Sequence, residues 1–366
     1  MLSIAWRYFQ VSRIRARGED IRRFILEHVE KYPSTISRKT AEKFNITRQA
    51  VNKHLQRLTA EKCLTESGNT RNRLYKLAPL STWSRTYMIG EDLAEDQVWT
   101  KDVKDVLGAL PENVMDIWHY GFTEMFNNAI DHSEGKTISV SIRKTAASAE
   151  MMLVDDGVGI FKKIQSEMGL LDERHAILEL HKGKLTTDPR HHSGEGIFFT
   201  SRMFDAFNIL SGGVYFLHEF KSEEDWILET SRTHQGTTVW MELYNHTART
   251  TKKIFDSYVS GDDYGFTKTV VPVKLAQYGN DKLISRSQAK RLLARVELFK
   301  TVCFDFTDVP SIGQAFADEI FRVFAQKHPQ IELVPFKANS EVKRMILRVK
   351  AVGIKDEPSG SSQNPV

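Results

Sequence analysis

Cysteine is scarce in this sequence and long apolar runs are missing. Only Cys63 and Cys303 occur in 366 residues. They stand far apart without metal-ligand spacing, which excludes a disulfide scaffold or zinc module and suits the reduced thiols of a cytosolic chain. No stretch approaches the ~20 consecutive apolar residues of a membrane span, so no membrane partner is expected. Residues Met1 to Gln10 carry Arg7 and lack a signal-peptide pattern, so the expected location is cytoplasmic. There are no internal repeats. What is present is an ordinary apolar share on a chain too long for one core, so two or three domains are expected.

Charge is distributed unevenly. Residues 1–80 hold 17 Lys/Arg and 7 Asp/Glu, a surplus of 10, while the whole chain carries +4, leaving −6 for the remainder. A basic front end on an acidic body suits contact with a polyanion, and a solvated basic face is the plainer alternative.

Residues 19–32 place Ile21, Phe24, Ile25 and Val29 at helical spacing, and Pro33 closes the run. A second amphipathic segment spans Ile36–Phe44. Thr47 is an N-cap residue type, and Ala50, Val51, Leu55 and Leu58 mark a third helix. Cys63–Thr65 and Leu74–Leu77 flank a Ser67-Gly68-Asn69 turn and read as a hairpin. Residues 79–102 and 246–268 read as polar connectors. Strands are expected at Val270–Val273, Thr301–Phe306, Ile331–Val334 and Met345–Val349, and a helix at Ala315–Lys327. The Pro/Ser/Gly-rich end, 353–366, is expected to be disordered.

Three central segments carry candidate chemistry. In Tyr120–Ser133, Phe122, Met125, Phe126, Ala129 and Ile130 form an apolar helix face, while Glu124, Asn128 and His132 share another stripe. A carboxamide oxygen suits Mg²⁺, and a carboxylate one turn earlier suits proton abstraction; a plain amphipathic helix gives the same pattern. Met151–Ile160 is an apolar strand running into Asp155-x-Gly157-x-Gly159. A carboxylate at a strand end can accept from an adenine amino group, beside glycines that let backbone approach. Ser193-Gly194-Glu195-Gly196-Ile197 opens a helical run, and bare N–H groups there suit phosphate.

In this order the three segments, with Gly236-Thr237-Thr238-Val239 as a fourth, resemble the nucleotide-binding boxes of the GHKL family (gyrase, histidine kinases and relatives) over roughly residues 100–245. That resemblance implies ATP and Mg²⁺ as cofactors. It makes Glu124 the general base, Asn128 the metal ligand and Asp155 the adenine reader, supported by Thr237. Gly157 and Gly159 would lie beside the nucleotide, Gly194 and Gly196 on phosphate, with His132 and Ile160 in the same site. Phe161–His192 would be a mobile lid; its Arg190-His191-His192 end reads first as a solvated loop, with reach toward phosphate as the alternative. Glu-x-x-x-Asn-x-x-x-His looks most like the anti-sigma-factor serine kinases. Sensor histidine kinases usually carry Asn where Glu124 stands, with a phosphoacceptor His on a helix just upstream; residues 81–110 hold no His.

The flanks add two resemblances. Three helices and a hairpin over 1–80 resemble a winged helix-turn-helix of bacterial regulators. Its recognition helix would offer Arg48, Gln49, Asn52, Lys53 and Arg57 to base edges, and its hairpin would offer Arg71 and Arg73 to phosphate. A winged helix used for protein contact is the alternative. Thr301–Ile320 resembles a STAS-like domain spanning about 269–352. The STAS phosphoacceptor serine follows an Asp, but here the stretch reads Gly313-Gln314-Ala315, so the acceptor hydroxyl is missing.

The expected fold class is therefore α+β multidomain: winged helix, GHKL α/β sandwich and small STAS-like α/β domain. The expected function is an ATP-binding bacterial transcriptional regulator that couples Mg·ATP to DNA binding. The alternatives are an anti-sigma-type serine/threonine kinase and a GHKL ATPase clamp. Double-stranded DNA and ATP are the expected partners, together with a regulatory protein or a second copy in a homodimer.

Overall fold

A computed structural model of the chain describes residues 16–69, 72–185, 194–220, 226–259, 265–277 and 282–355. Local signals set its first unit. Helices α1 (Ala16–His28), α2 (Ile36–Phe44) and α3 (Arg48–Ala60) precede strands β1 (Leu64–Ser67) and β2 (Leu74–Leu77), which pair antiparallel. The Thr47 hydroxyl accepts from Ala50 N at 3.2 Å and so fixes the start of α3. Asn45 ends α2 in the left-handed region with φ 49°. Ile25, Val29, Ile36, Val51, Leu55, Leu58 and Leu64 close a small core.

The expected connector over 79–102 is largely structured. Only Ala78–Leu80 separate β2 from strand β3 (Ser81–Met88), and the helical run α4 (Glu95–Val98), a π turn at Trp99–Val103 and α5 (Lys104–Leu107) follows. Strand β3 is the edge of an antiparallel sheet of order β3-β4-β5-β7-β6, built with β4 (Thr137–Lys144), β5 (Ser148–Asp155), β6 (Ala206–Glu219) and β7 (Trp226–Tyr244). One face is apolar because of simple alternation: Ile138, Val140 and Ile142 in β4, and Ala149, Met151 and Leu153 in β5. Against it lies α6 (Glu112–His132), which buries Trp118, Phe122, Met125, Phe126 and Ala129. Phe122 and Phe126 stack at 5.0 Å.

Where it is described, the expected lid region is largely helical. It holds α7 (Ile160–Met168) and α8 (Glu173–Lys182), the latter capped by Asp172 and buried from Ala176 to Lys182. Residues 186–193, with Arg190, His191 and His192, lie outside the described residues. Helix α9 (Gly196–Met203) packs against α6, its following residue Phe204 meeting Trp118 edge-on at 4.8 Å. The second expected connector contains α10 (Thr251–Asp256), whose Phe255 meets Phe199 at 4.5 Å.

The third unit is a parallel sheet of order β10-β9-β8, from β8 (Lys268–Pro272), β9 (Thr301–Asp305) and β10 (Glu332–Phe336). Around it lie α11 (Arg286–Leu293), α12 (Gln314–Asp318), a π turn at Glu319–Phe324, α13 (Ala325–Lys327) and α14 (Ser340–Lys355). Helix α14 corrects the strand expected at Met345–Val349. Val342, Ile346 and Val349 recur at helical spacing and are buried. It runs to Lys355, into the tail expected to be disordered; 356–366 lie outside the described residues.

The first unit joins the five-stranded sheet closely. Leu80 N donates to Lys144 O at 2.7 Å, and Ala146 and Ala147, in the turn between β4 and β5, belong to the first unit's core. Among the described residues no helix is long and apolar enough to cross a membrane.

Candidate functional site

Helices α6 and α7, the end of β5, Thr237 and Val239 within β7, and Leu180, Leu185, Gly194 and Ile197 line a half-open cleft of about 890 Å³, its open mouth included. Its walls are mostly apolar: Met125, Ala129, Leu153, Ile164, Leu180, Leu185, Ile197 and Val239. A few polar groups converge on it, namely Asn128, His132, Asp155, Lys163, Glu167 and Thr237. This is the common make-up of a small-molecule site.

Asp155 is the best-defined group. It ends β5, with the residue only 7% exposed. Its Oδ1 accepts from Gly157 N at 3.0 Å and Thr237 N at 3.1 Å, and the Thr237 hydroxyl also bonds the carboxyl. Thr237 Oγ1 in turn accepts from Ile160 N at 3.0 Å. Burial nevertheless pushes the Asp155 carboxyl above the usual carboxylate range, because the desolvation cost outweighs these donors. Gly157 fits against the Ser133 carbonyl, where any Cβ would collide. Gly159 adopts φ 90° and caps α7, with Ser211 and the Gly236 carbonyl behind it.

Of the expected nucleotide residues, Asn128, His132, Asp155, Ile160, Gly194 and Thr237 line the cleft. Gly157 and Gly159 stand behind it as the turn that fixes Asp155. Gly196 lies under Glu124, whose carboxylate occupies the space a Cβ would need. Glu124 and Glu195 both act on the nearby Tyr120. Burial, then these two carboxylates, raises the Tyr120 hydroxyl, and burial raises the Glu195 carboxyl against the pull of Lys184.

Sequence reading missed Lys163, Ile164 and Glu167 on α7, and Leu180 and Leu185. The first three lie at i, i+1 and i+4 on α7, in a stretch expected only as part of the lid, so nothing in the sequence marked them as site. Lys163 pairs with Glu134 at 2.9 Å and Glu167 at 3.9 Å. Asp156 was missed as well. Its Oδ1 accepts from Lys136 N at 2.7 Å and Thr137 N at 2.9 Å, and the Thr137 and Lys136 amides hold its carboxyl below the usual range.

In the first unit, Arg48, Gln49, Asn52, Lys53 and Arg57 are all exposed on α3. Asn52 Oδ1 accepts from the Ser37 hydroxyl at 3.1 Å. Arg57 bonds Glu61 at 2.9 Å, and Glu61 also meets Arg22. Burial raises the Glu61 carboxyl, but Arg22 and Arg57 bring it net below its usual range. Arg73 lies 3.5 Å from Glu66, and Arg71 is outside the described residues.

In the third unit, Thr307 Oγ1 donates to Asp305 Oδ1 at 2.6 Å, while Ser311 is exposed. A family model described as a STAS-like domain of unknown function (DUF4325) matches residues 288–343. No curated protein matches the chain. The match runs from α11 to the start of α14 and leaves β8 outside it, so the STAS-like reading of the C-terminal part fits over a shorter span than expected. Gln314 opens α12 after Gly313, so no hydroxyl stands at the position expected for a phosphoacceptor.

Proposed function

We propose that the cleft binds Mg·ATP and that the chain couples this binding to DNA binding by its first unit. The observation that carries the reading is Asp155: a buried carboxylate on the cleft, with one oxygen held by two backbone N–H groups. Its other oxygen would serve as the acceptor for an adenine amino group, and the apolar Leu153, Ile164 and Val239 that line the cleft would take the ring. Asn128 supplies one oxygen to Mg²⁺, which takes the rest from phosphates and water. The basic first unit, with its exposed Arg, Gln and Asn on α3, supports duplex DNA as the partner.

Titration of the full chain with ATP tests the reading. Asp155→Asn keeps an Oδ1 acceptor for Gly157 and Thr237 but turns an N–H₂ toward adenine. Unchanged ATP affinity in this variant would sink the assignment.

A second reading, hydrolysis or transfer of the γ-phosphate, is favoured by the position of Glu124 over Gly196. Incubation with γ-labelled ATP separates the outcomes: free phosphate marks an ATPase, labelled protein marks a kinase, and neither marks a binding switch.

A further inference from the structure

One wall of the cleft is gripped from outside by the C-terminal unit. On the inner side Leu180 and Leu185 line the cleft, and Leu185 N donates to Gly194 O at 3.0 Å. On the outer side three consecutive residues are held. Lys182 is fully buried, and its Nζ donates to Glu179 Oε1 at 2.7 Å, Arg291 O at 3.0 Å and Ala294 O at 2.7 Å. The last two are end carbonyls of α11, so a lysine of the central unit caps a helix of the C-terminal one. Thr269 donates its hydroxyl to Lys182 O at 2.7 Å. A Cβ on Gly183 would come within 2.6 Å of the Phe266 ring. Lys184 Nζ donates to Leu298 O at 3.1 Å, and Arg295 bonds both Lys184 O and, at 3.1 Å, Glu179 Oε2. Beyond Gly194, Phe198 and Phe199 meet the same Phe266 at 4.5 and 5.0 Å.

Glu179, fully buried, is thus shared between Lys182 and Arg295, with His175 3.6 Å away. Such a cluster adds little net stability over apolar packing, yet it fails sharply when one partner shifts, because an unpaired buried charge is left behind. It behaves as a latch rather than a spring.

We propose that the C-terminal unit braces the cleft through this latch. Lys182 and Arg295 are positioning residues that act through Leu180 and Leu185, so a ligand displacing that wall must move the end of α11. Coupling is reciprocal: whatever docks on the C-terminal unit and shifts α11 changes the affinity of the cleft. The ligand-dependent half rests on the nucleotide reading; the mechanical half does not.

Hydrogen–deuterium exchange on the full chain tests both. Without ligand, Lys182→Met should speed exchange by ~10-fold or more in 286–294 and also in 180–185 and 194–199, while 48–60 stays unchanged. Thr269→Val should give the same pattern more weakly, and it decides the matter if the first variant does not fold. Faster exchange on one side alone overturns the brace. With Mg·ATP, the wild type should slow exchange in 286–294 and Lys182→Met should not. ATP that binds by titration yet leaves 286–294 unmoved overturns the ligand-dependent half. ATP that does not bind overturns the nucleotide reading, and the ligand-free result still decides the brace.

Discussion

Asp155 and the outer face of α3 present similar hydrogen-bonding groups in opposite surroundings. Asp155 is buried, its orientation fixed by three groups from Gly157 and Thr237, and its ionised form is penalised by desolvation. Arg48, Gln49 and Asn52 stand in water, with Asn52 steadied by Ser37. A buried acceptor carries its selectivity alone, because a wrong ligand leaves it unpaired where water cannot compensate. An exposed face divides selectivity among several contacts and draws general affinity from charge.

The sharpest way to break this contrast is Asp155→Asn. ATP affinity should fall by about 1.5–3 kcal/mol, read by titration calorimetry, while the thermal midpoint without ligand holds or rises. On α3, Arg48→Ala should cost about 1–3 kcal/mol on its preferred base and leave non-specific DNA binding nearly intact, measured by competition between sequences. Arg73→Ala should weaken all sequences alike and lower the salt slope by about 1. Loss of sequence preference in Arg73→Ala instead would remove the division of labour.

The pH dependence sharpens the same point. The Asp155 pKa is raised above its ordinary ~3.9, so the carboxyl takes up its proton sooner as pH falls. ATP affinity should therefore drop on acidification beginning above pH ~3.9, in the window up to the raised value. Stability without ligand runs the other way. A raised carboxyl pKa contributes stability that is present at low pH and lost as pH rises through the folded value. Asp155→Asn should flatten both curves. The smallest expected effect is Ser37→Ala, which frees Asn52 and should cost no more than about 1 kcal/mol of base preference.

How much of this was legible followed from how local the cause was. Helices α2 and α3 were readable because their signals, periodicity and the Thr47 cap, lie within a few residues. Strand β3 was not. As an edge strand it exposes most of its positions, so Ser81–Met88 offers little alternation to read. Asp155, Asn128 and Thr237 were found through motif order, but Leu180 and Leu185 carry no motif and reach the cleft only by packing. The Glu179–Lys182–Arg295 cluster was illegible for a similar reason: Arg295 is more than a hundred residues from Lys182, and buried charge looks like surface charge in a sequence.

The three-residue junction between β2 and β3 seats α3's unit on the sheet rather than tethering it loosely. Leu80 continues hydrogen bonding into the sheet edge, and Ala146 and Ala147 are shared with the first unit's core. A change in the twist of the five-stranded sheet would thus have a short, packed path to the first unit. If α3 enters a groove as proposed, a swing of a few degrees at the sheet would move it by ångströms, enough to carry it out of groove register without either unit unfolding.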